Sequence, residues 1–346
     1  MSQEPNSPHI YYVLMPAAWL YGAAVGVRNE LFDHQWLLHT HTFRIPTIGV
    51  GNLAVGGTGK TPHVEWLLRL LLEQGRRVAV VSRGYGRKTK GLREVRDADE
   101  AKNVGDEPLQ IKHKFPQAKV VVDADRSEAL ERLQDEADVC VLDDCFQHRY
   151  VKPSLSLLLT DYHRLFTRDA LLPAGRLREQ RKGAARADII VVTKCPADLS
   201  REEADAIARE VRPTAPDCVA FSTLQHGTPY LFGHPDKKLS VLPQQVVLFA
   251  GIANPQPFVE HWRKKIASVE TLLYRDHINF SATDLVHLTE AIERCGAGIT
   301  TEKDAARLPA DFCQNADLWV QPVAIEFLFD SEKIVEAKIR KILQNK

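Results

Sequence analysis

The stretch Gly49-Val-Gly-Asn-Leu-Ala-Val-Gly-Gly-Thr-Gly-Lys-Thr61 limits what this chain can fold into more than any other. A short apolar run, Ile45 to Val50, precedes it, and a helical pattern, Val64 to Leu72, follows. Strand, glycine-rich loop and helix in that order is the setting of a phosphate-binding P-loop. The glycines let backbone N–H groups turn onto phosphate oxygens, and the helix adds its positive N-terminus. Ala54, Val55, Gly56, Gly57, Thr58, Gly59, Lys60 and Thr61 are the expected nucleotide-binding set. Lys60 would reach the β- and γ-phosphates, and Thr61 would hold Mg²⁺. Ala54 stands where the strict pattern has its first glycine, a small change.

From residue 45 onward, apolar runs alternate with helical stretches. Ile45–Val50, Val78–Ser82, Val120–Asp123, Val139–Leu142, Leu157–Thr160 and Ile189–Thr193 read as strands. Most are continuous rather than alternating, as parallel strands buried on both faces require. His63–Glu73, Gly105–His113, Arg126–Asp135 and Leu199–Val211 read as helices. The pattern predicts an α/β fold: a P-loop doubly wound, mostly parallel sheet with helices on both faces. Cys218–Phe221 is a candidate further strand, and Ser222 to Gln245 reads as a connection. Beyond it, Val246–Gly251, Val269–Tyr274, Ala297–Thr301 and Val323–Phe329, with helices from Pro257 and over Ala282–Cys295, predict a smaller C-terminal α/β domain. The expected division is 1–30 for an N-terminal apolar helix, 31–225 for the P-loop domain and 226–346 for the smaller domain.

At 346 residues the chain suits about two domains. Its formal charge is zero, so no global field draws nucleic acid, and none is expected as a partner. Cys140, Cys145, Cys195, Cys218, Cys295 and Cys313 form no CxxC pair and no metal-site spacing. They read as reduced thiols of a cytosolic protein. Ile10 to Val27 carries no charge and is rich in Tyr and Trp. Such a run is just long enough to span a bilayer, and its aromatic side chains favour the interface. Membrane anchoring or interfacial docking is one reading; a helix packed on the body of the protein is the other. No Lys or Arg precedes the run, so a signal peptide is not expected.

Val139–Leu142 followed by Asp143 and Asp144 has the form of a Walker B strand, whose carboxylate emerges near the P-loop to bind Mg²⁺. Asp106, in Gly105-Asp-Glu-Pro108, suits a helix entry by capping alone. It also suits a carboxylate that takes a proton from an attacking hydroxyl. Asp276-His277 is either structural or an acid/base partner brought across a cleft. Arg83 lies in one basic loop, Ser82 to Lys90, and Arg176 and Arg178 in another, Leu172 to Glu179. These are solvated loops or phosphate clamps. Val191–Lys194 is similar to the base-recognition strand of GTPases, but Pro196 stands where an Asp would read guanine, which favours adenine.

Together these motifs resemble the tetraacyldisaccharide 4'-kinases of lipopolysaccharide biosynthesis. The likeness rests on Val50-Gly-Asn-Leu-Ala-Val-Gly-Gly-Thr-Gly-Lys-Thr-Pro62, Ser82-Arg-Gly-Tyr-Gly-Arg87, Gly105-Asp-Glu-Pro108 and Leu142-Asp-Asp-Cys-Phe-Gln-His-Arg149. It continues through Leu172-Pro-Ala-Gly-Arg-Leu-Arg-Glu179, Ala250-Gly-Ile-Ala-Asn-Pro255, Asp276-His277 and Thr300-Thr-Glu-Lys-Asp304. Cys145 departs from the family's usual glycine. The resemblance implies transfer of the ATP γ-phosphoryl group to the 4'-hydroxyl of a lipid disaccharide 1-phosphate, at the cytoplasmic face of the bacterial inner membrane. Cofactors would be ATP and Mg²⁺, with no obligatory protein partner. By motif, Lys60, Asp106 and His277 are the implied catalytic residues, with His277 as partner of Asp106. Thr61 and Asp143 are the implied metal ligands; Asp144, Arg83, Arg176 and Arg178 are candidate substrate or phosphate contacts.

Two other classes share the P-loop. A regulatory ATPase of the partitioning kind carries a second lysine early in the loop, where this chain has Val55. A carboxylate ligase of the dethiobiotin synthetase type lacks the apolar N-terminus and the second domain.

Overall fold

The computed structural model describes residues 10–309, 311–312 and 317–344. Cys313 and residues 1–9 of the expected N-terminal segment lie outside them. The other five cysteines are free thiols.

Helix α1 (Met15–Asp33) leads into β1 (Thr47–Asn52), the P-loop and α2 (Lys60–Glu73). Then come β2 (Val78–Ser82), β3 (Arg93–Glu94), α3 (Ala101–Val104), α4 (Asp106–Lys114), β4 (Lys119–Val122) and α5 (Arg126–Leu133). β5 (Val139–Asp143), β6 (Leu155–Asp161), β7 (Ile189–Thr193), α6 (Arg201–Val211) and β8 (Val219–His226) complete this run. With a late strand, β15 (Val323–Leu328), these strands build a nine-stranded sheet in the order β15-β8-β7-β6-β1-β5-β2-β4-β3. All pairings from β8 to β4 are parallel; only the two edges are antiparallel. Strands β1, β2, β5 and β7 are buried along their whole length, which is why they read as unbroken apolar runs.

Helix α2 covers one face. Its Val64, Leu67, Leu68 and Leu71 are fully buried at helical spacing against Ile48, Val80 and Val141. At about 2 kcal/mol per side chain, this packing holds the P-loop end of the helix in place. Helix α5 covers the other face through Ala129, Leu130 and Leu133. Cys145 belongs to that cluster, and Gly49 makes room for it: a Cβ there would lie 2.7 Å from Cys145 Sγ.

A six-stranded sheet follows, from β9 (Tyr230–Leu231), β10 (His234–Lys238), β11 (Gln245–Ala250), β12 (Ser268–Leu273), β13 (Gly298–Thr301) and β14 (Leu318–Gln321), in the order β10-β9-β14-β13-β11-β12. Helices α7 (Gln256–Arg263), α8 (Ala282–Cys295) and α9 (Glu302–Ala305) accompany it. Two features depart from the sequence pattern. The segment expected as a plain connection holds the end of β8 together with β9 and β10. The strand expected last in the smaller domain, β15 (Val323–Leu328), instead pairs antiparallel with β8 in the large sheet. Helix α10 (Glu332–Gln344) then returns Val335 and Ile339 to the core beneath α2. The physical reason is packing on α2, where the Phe327 ring lies 4.9 Å from that of Trp66 and 6.2 Å from that of His63. The chain thus crosses between the sheets twice, and the crossings are bonded together, with Gly227 N–H donating to the Pro322 carbonyl at 3.0 Å.

A second tie is ionic. Lys114, at the end of α4, donates to Glu65 on α2 at 2.6 Å and to Glu302 on α9 at 2.7 Å. Both carboxylates are almost wholly buried. Removing the cation strands two buried negative charges. Lys114→Met is therefore expected to lower stability by about 3 kcal/mol, read as a fall in the urea midpoint, with Lys114→Arg retaining most of it.

Candidate active site

The P-loop closes on a left-handed residue. Gly59 has φ +83 and caps α2, a conformation that costs glycine nothing. Its carbonyl accepts from Nδ1 of His63, one turn into α2, at 2.7 Å, and His63 Nε2 accepts from the Ser222 hydroxyl at 3.0 Å. Burial pushes the His63 imidazole down to about 4, so it is neutral at pH 7 and satisfies both partners as one tautomer. Asn52 donates to the Thr58 hydroxyl at 2.8 Å, and Val55 N–H donates to the Arg176 carbonyl at 2.8 Å.

Lys60 opens α2 and lies 3.8 Å from Asp144. Thr61 follows it, half-buried. Strand β5 delivers Asp143 and Asp144 beside them. Asp143 Oδ2 accepts from Ser82 at 3.1 Å, while Oδ1 is buried without a partner. Burial, then the charges of Glu107 and Asp144, push this carboxyl up to about 7 against the pull of Lys60. Asp144 has φ +43 and turns the other way. Burial raises it too, but Lys60 and Arg178 outweigh that and leave it below its ordinary value. An orphaned, buried carboxylate oxygen at the strand end fits a hard divalent cation. Among the described residues there is no cluster of three or more His, Cys, Asp or Glu that could hold a metal by itself.

Asp106 begins α4, and every hydrogen bond found to its carboxylate falls on Oδ2. His277 Nδ1 donates at 2.9 Å, and Arg307 donates through Nε at 2.8 Å and Nη2 at 2.6 Å. Burial pushes Asp106 up, but the His277 hydrogen bond and the Arg307 charge outweigh it and hold it below the usual range. Helix entry alone does not explain this residue, because Gly105 occupies the cap position. His277 sits at φ +56 with its Nε2 3.2 Å from Lys303 Nζ, and Tyr85 packs its ring 5.4 Å from the imidazole.

The basic loops divide. Arg176 lies beside Gly56, its Nη1 3.9 Å from where a Cβ would stand. Arg178 is committed to protein groups: Asp144 at 2.9 Å and Asn52. Arg83 is exposed at the end of β2. Arg307 is absent from the sequence reading, and Glu107 appears there only within the Gly105-Asp-Glu-Pro108 motif. Arg307 lies three residues past Asp304, which it contacts at 2.9 Å, and that Asp-x-x-Arg spacing on a helical turn was its only signal. Glu107 adjoins Asp106, and its charge acts on Asp143, which places both acidic segments around one cleft.

A P-loop, an acidic strand end beside its lysine, and a carboxylate on α4 met by an imidazole from a second α/β unit define a P-loop phosphotransferase. The particular family follows from comparison. The family model for tetraacyldisaccharide-1-P 4'-kinase matches residues 10–344. The tetraacyldisaccharide 4'-kinase of Bacteroides fragilis (strain YCH46) is 44% identical over 94% of this chain and 91% of its own. That of Porphyromonas gingivalis (strain ATCC 33277) is 40% identical over 99% of both. The crystal structure of LpxK from Aquifex aeolicus in complex with ATP superposes with a TM-score of 0.76 at 27% identity, over 96% of this chain and 98% of that one. The chain belongs to the tetraacyldisaccharide 4'-kinase family. The regulatory ATPase and the ligase fall away with that membership.

Asp143 gives a stability test. Its folded pKa lies above the unfolded one, so its contribution is fully present below about pH 4 and is lost as pH rises through about 7. Asp143→Asn removes that loss. In magnesium-free buffer the variant is expected to melt above the parent at pH 8, with the gap closing towards pH 4. Added Mg²⁺ with ADP should raise the parent's melting temperature and leave the variant's unchanged.

Proposed function

We infer that this chain transfers the γ-phosphoryl group of ATP to the 4'-hydroxyl of a tetraacylated glucosamine disaccharide 1-phosphate, a step of lipid A biosynthesis. The observation that carries the reading is the family match along residues 10–344, joined to a cleft that holds Lys60, Asp143 and the Asp106–His277 pair.

The P-loop amides and Lys60 hold the triphosphate and spread the charge that grows on the transferred group. Thr61 and Asp143 would hold Mg²⁺, which would supply further positive charge at the transferred group. Asp106 orients the sugar hydroxyl. Its Oδ2 is taken by His277 and Arg307, which leaves Oδ1 to accept the substrate's hydrogen bond. A carboxylate held below its usual range is a weak base. Phosphoryl transfer through a loose transition state asks for orientation more than for early proton removal, so weakness costs little. Arg176 beside the loop is the phosphate clamp; Arg178 keeps Asp144 in place; exposed Arg83 and Asp144 face the substrate.

Helix α1 supports membrane association. Among the described residues no helix is long and apolar enough to cross a membrane. Yet Tyr12, Val13, Trp19 and Leu20 are largely exposed, while the opposite side is fixed to the body through the Tyr21 hydroxyl, which donates to the Arg178 carbonyl at 2.7 Å. An apolar face with aromatic side chains suits the interface of a bilayer, here the cytoplasmic face of the inner membrane, where the acyl chains stay while the sugar enters the cleft.

Incubation with labelled ATP and the disaccharide 1-phosphate should place the label at the 4'-position; ATP consumption indifferent to the lipid would refute the reading. Asp106→Ala is expected to cut kcat by 10²-fold or more while ATP affinity survives. Arg307→Met lifts the restraint on Asp106, so the acid limb of the kcat/KM profile moves to higher pH, with Arg307→Lys lying between variant and parent. Replacing Trp19 and Leu20 by serine should reduce flotation with anionic phospholipid vesicles.

A further inference from the structure

Strands β6 and β7 are parallel neighbours, and residues 162–188 join them without an α-helix. A long connection with no helix of its own usually serves a site. Its organising group is Asp169, which is almost wholly buried. Arg164 grips the carboxylate as a fork, Nε donating to Oδ2 at 2.6 Å and Nη2 to Oδ1 at 2.8 Å. Arg181 Nη2 donates to the Asp169 carbonyl at 2.8 Å. Oδ1 also accepts from the backbone N–H of Ala170 at 2.8 Å and of Arg176 at 3.2 Å. The turn from 170 to 176 therefore closes on one buried carboxylate. Gly175 lets it close, since a Cβ there would lie 2.4 Å from Asp169 Oδ1 and 2.3 Å from the Ala170 carbonyl oxygen.

The Arg176 backbone is held from both sides. Its N–H donates to Asp169, and its carbonyl accepts from Val55 N–H in the P-loop at 2.8 Å. Leu177, next to it, bridges Ala54 in antiparallel fashion and buries its side chain. In extended chain the neighbours of a buried side chain point the other way, so Arg176 and Arg178 turn away from that core. The two end differently. Arg178 is spent on Asp144 and Asn52. Arg176 is exposed, and among the described residues its guanidinium has no hydrogen-bond or ion-pair partner. A free planar fork beside Gly56 and the loop amides is matched to phosphate oxygens.

We propose that Asp169 is a positioning residue for ATP: by gripping Arg164 and the Arg176 backbone, it holds the free Arg176 guanidinium beside Gly56, where the phosphates lie. The side chain of Arg176 must still be ordered by the ligand, but its point of attachment is already fixed, which lowers the cost of binding. The proposal rests on the reading of the P-loop as the ATP site of a kinase.

The test is steady-state transfer from labelled ATP to the disaccharide 1-phosphate by the full chain, with KM for Mg²⁺–ATP and for the lipid measured separately. Arg176→Ala should raise the ATP KM about tenfold and leave the lipid KM unchanged. Asp169→Asn keeps the side chain's size, but both its oxygens face donors, so either orientation of the amide sets its NH₂ against one. It should raise the ATP KM by roughly three- to tenfold. Combined with Arg176→Ala it should add nothing, because the two act as one unit. Arg164→Lys keeps the charge and loses the fork; its effect should lie between parent and Asp169→Asn and should also vanish once Arg176 is alanine. Partial unfolding lowers the active fraction, and with it kcat, without moving KM. Should the asparagine variant fail to fold, as melting would show, Arg164→Lys carries the same cycle. Effects on the ATP KM that multiply in the double variant would overturn the proposal, since Asp169 would then act through the P-loop backbone. So would an Arg176→Ala protein with the parent's ATP KM, or changes confined to kcat. A parent that transfers no phosphate would instead remove the kinase reading on which the proposal rests.

Discussion

Two adjacent carboxylates at the end of β5 set the problem that the rest of the structure answers. Asp143 is buried and Asp144 partly so, and a charged pair so placed is unfavourable unless opposite charge surrounds it. The chain divides the task. Asp144 takes a left-handed backbone and with it Lys60 and Arg178, so it stays ionised. Asp143 keeps one hydrogen bond, from Ser82, and one orphaned oxygen. The first carboxylate anchors the P-loop lysine; the second is left in need of a cation. Arg126 donates to both their backbone carbonyls at 2.9 Å, which fixes the turn between the two roles.

The same economy joins the two sheets. Three helices meet where Lys114 touches Glu65 and Glu302, and each begins or lies near a piece of the site. Helix α2 starts with Lys60, α4 with Asp106, and α9 leads to Arg307. A shift of α9 relative to α2 must therefore move Arg307 and Asp106 together. The paired crossings at Gly227 and Pro322 leave a narrow connection about which such a shift could turn.

Much of the central sheet was legible because burial on both faces forces unbroken apolar runs, and those runs are visible in β2, β5 and β7 without a partner in sight. The P-loop was legible because its chemistry is local in sequence. Strand β15 was not. Its pattern, Val323 to Phe329, does not name a sheet, and the groups that receive it, strand β8 and the rings of Trp66 and His63, are all distant in sequence. Helix α10 failed to register for the same reason: Val335 and Ile339 complete a core whose other members lie hundreds of residues earlier. In the site, motif position pointed to Asp106 and His277, and capping statistics offered a rival account of Asp106 that the cap at Gly105 removes. Arg307 stayed hidden because its partner Asp106 is far away in sequence, and no local pattern marks a long-range ion pair.

The charges around His277 explain why an imidazole, rather than another lysine, stands there. Asp106, Asp276 and Asp304 face Lys303 and Arg307, so the cluster carries one more carboxylate than cation. The ring bridges the two signs, with Nδ1 at 2.9 Å from Asp106 and Nε2 at 3.2 Å from Lys303 Nζ. A fixed cation in its place would cancel the charge on Asp106 permanently and weaken it further as an acceptor. In the proposed reaction the surplus negative charge stands until the sugar hydroxyl gives up its proton, and uptake of that proton by Asp106 would bring the cluster to neutrality. Only the part of that compensation already developed in the transition state accelerates the step.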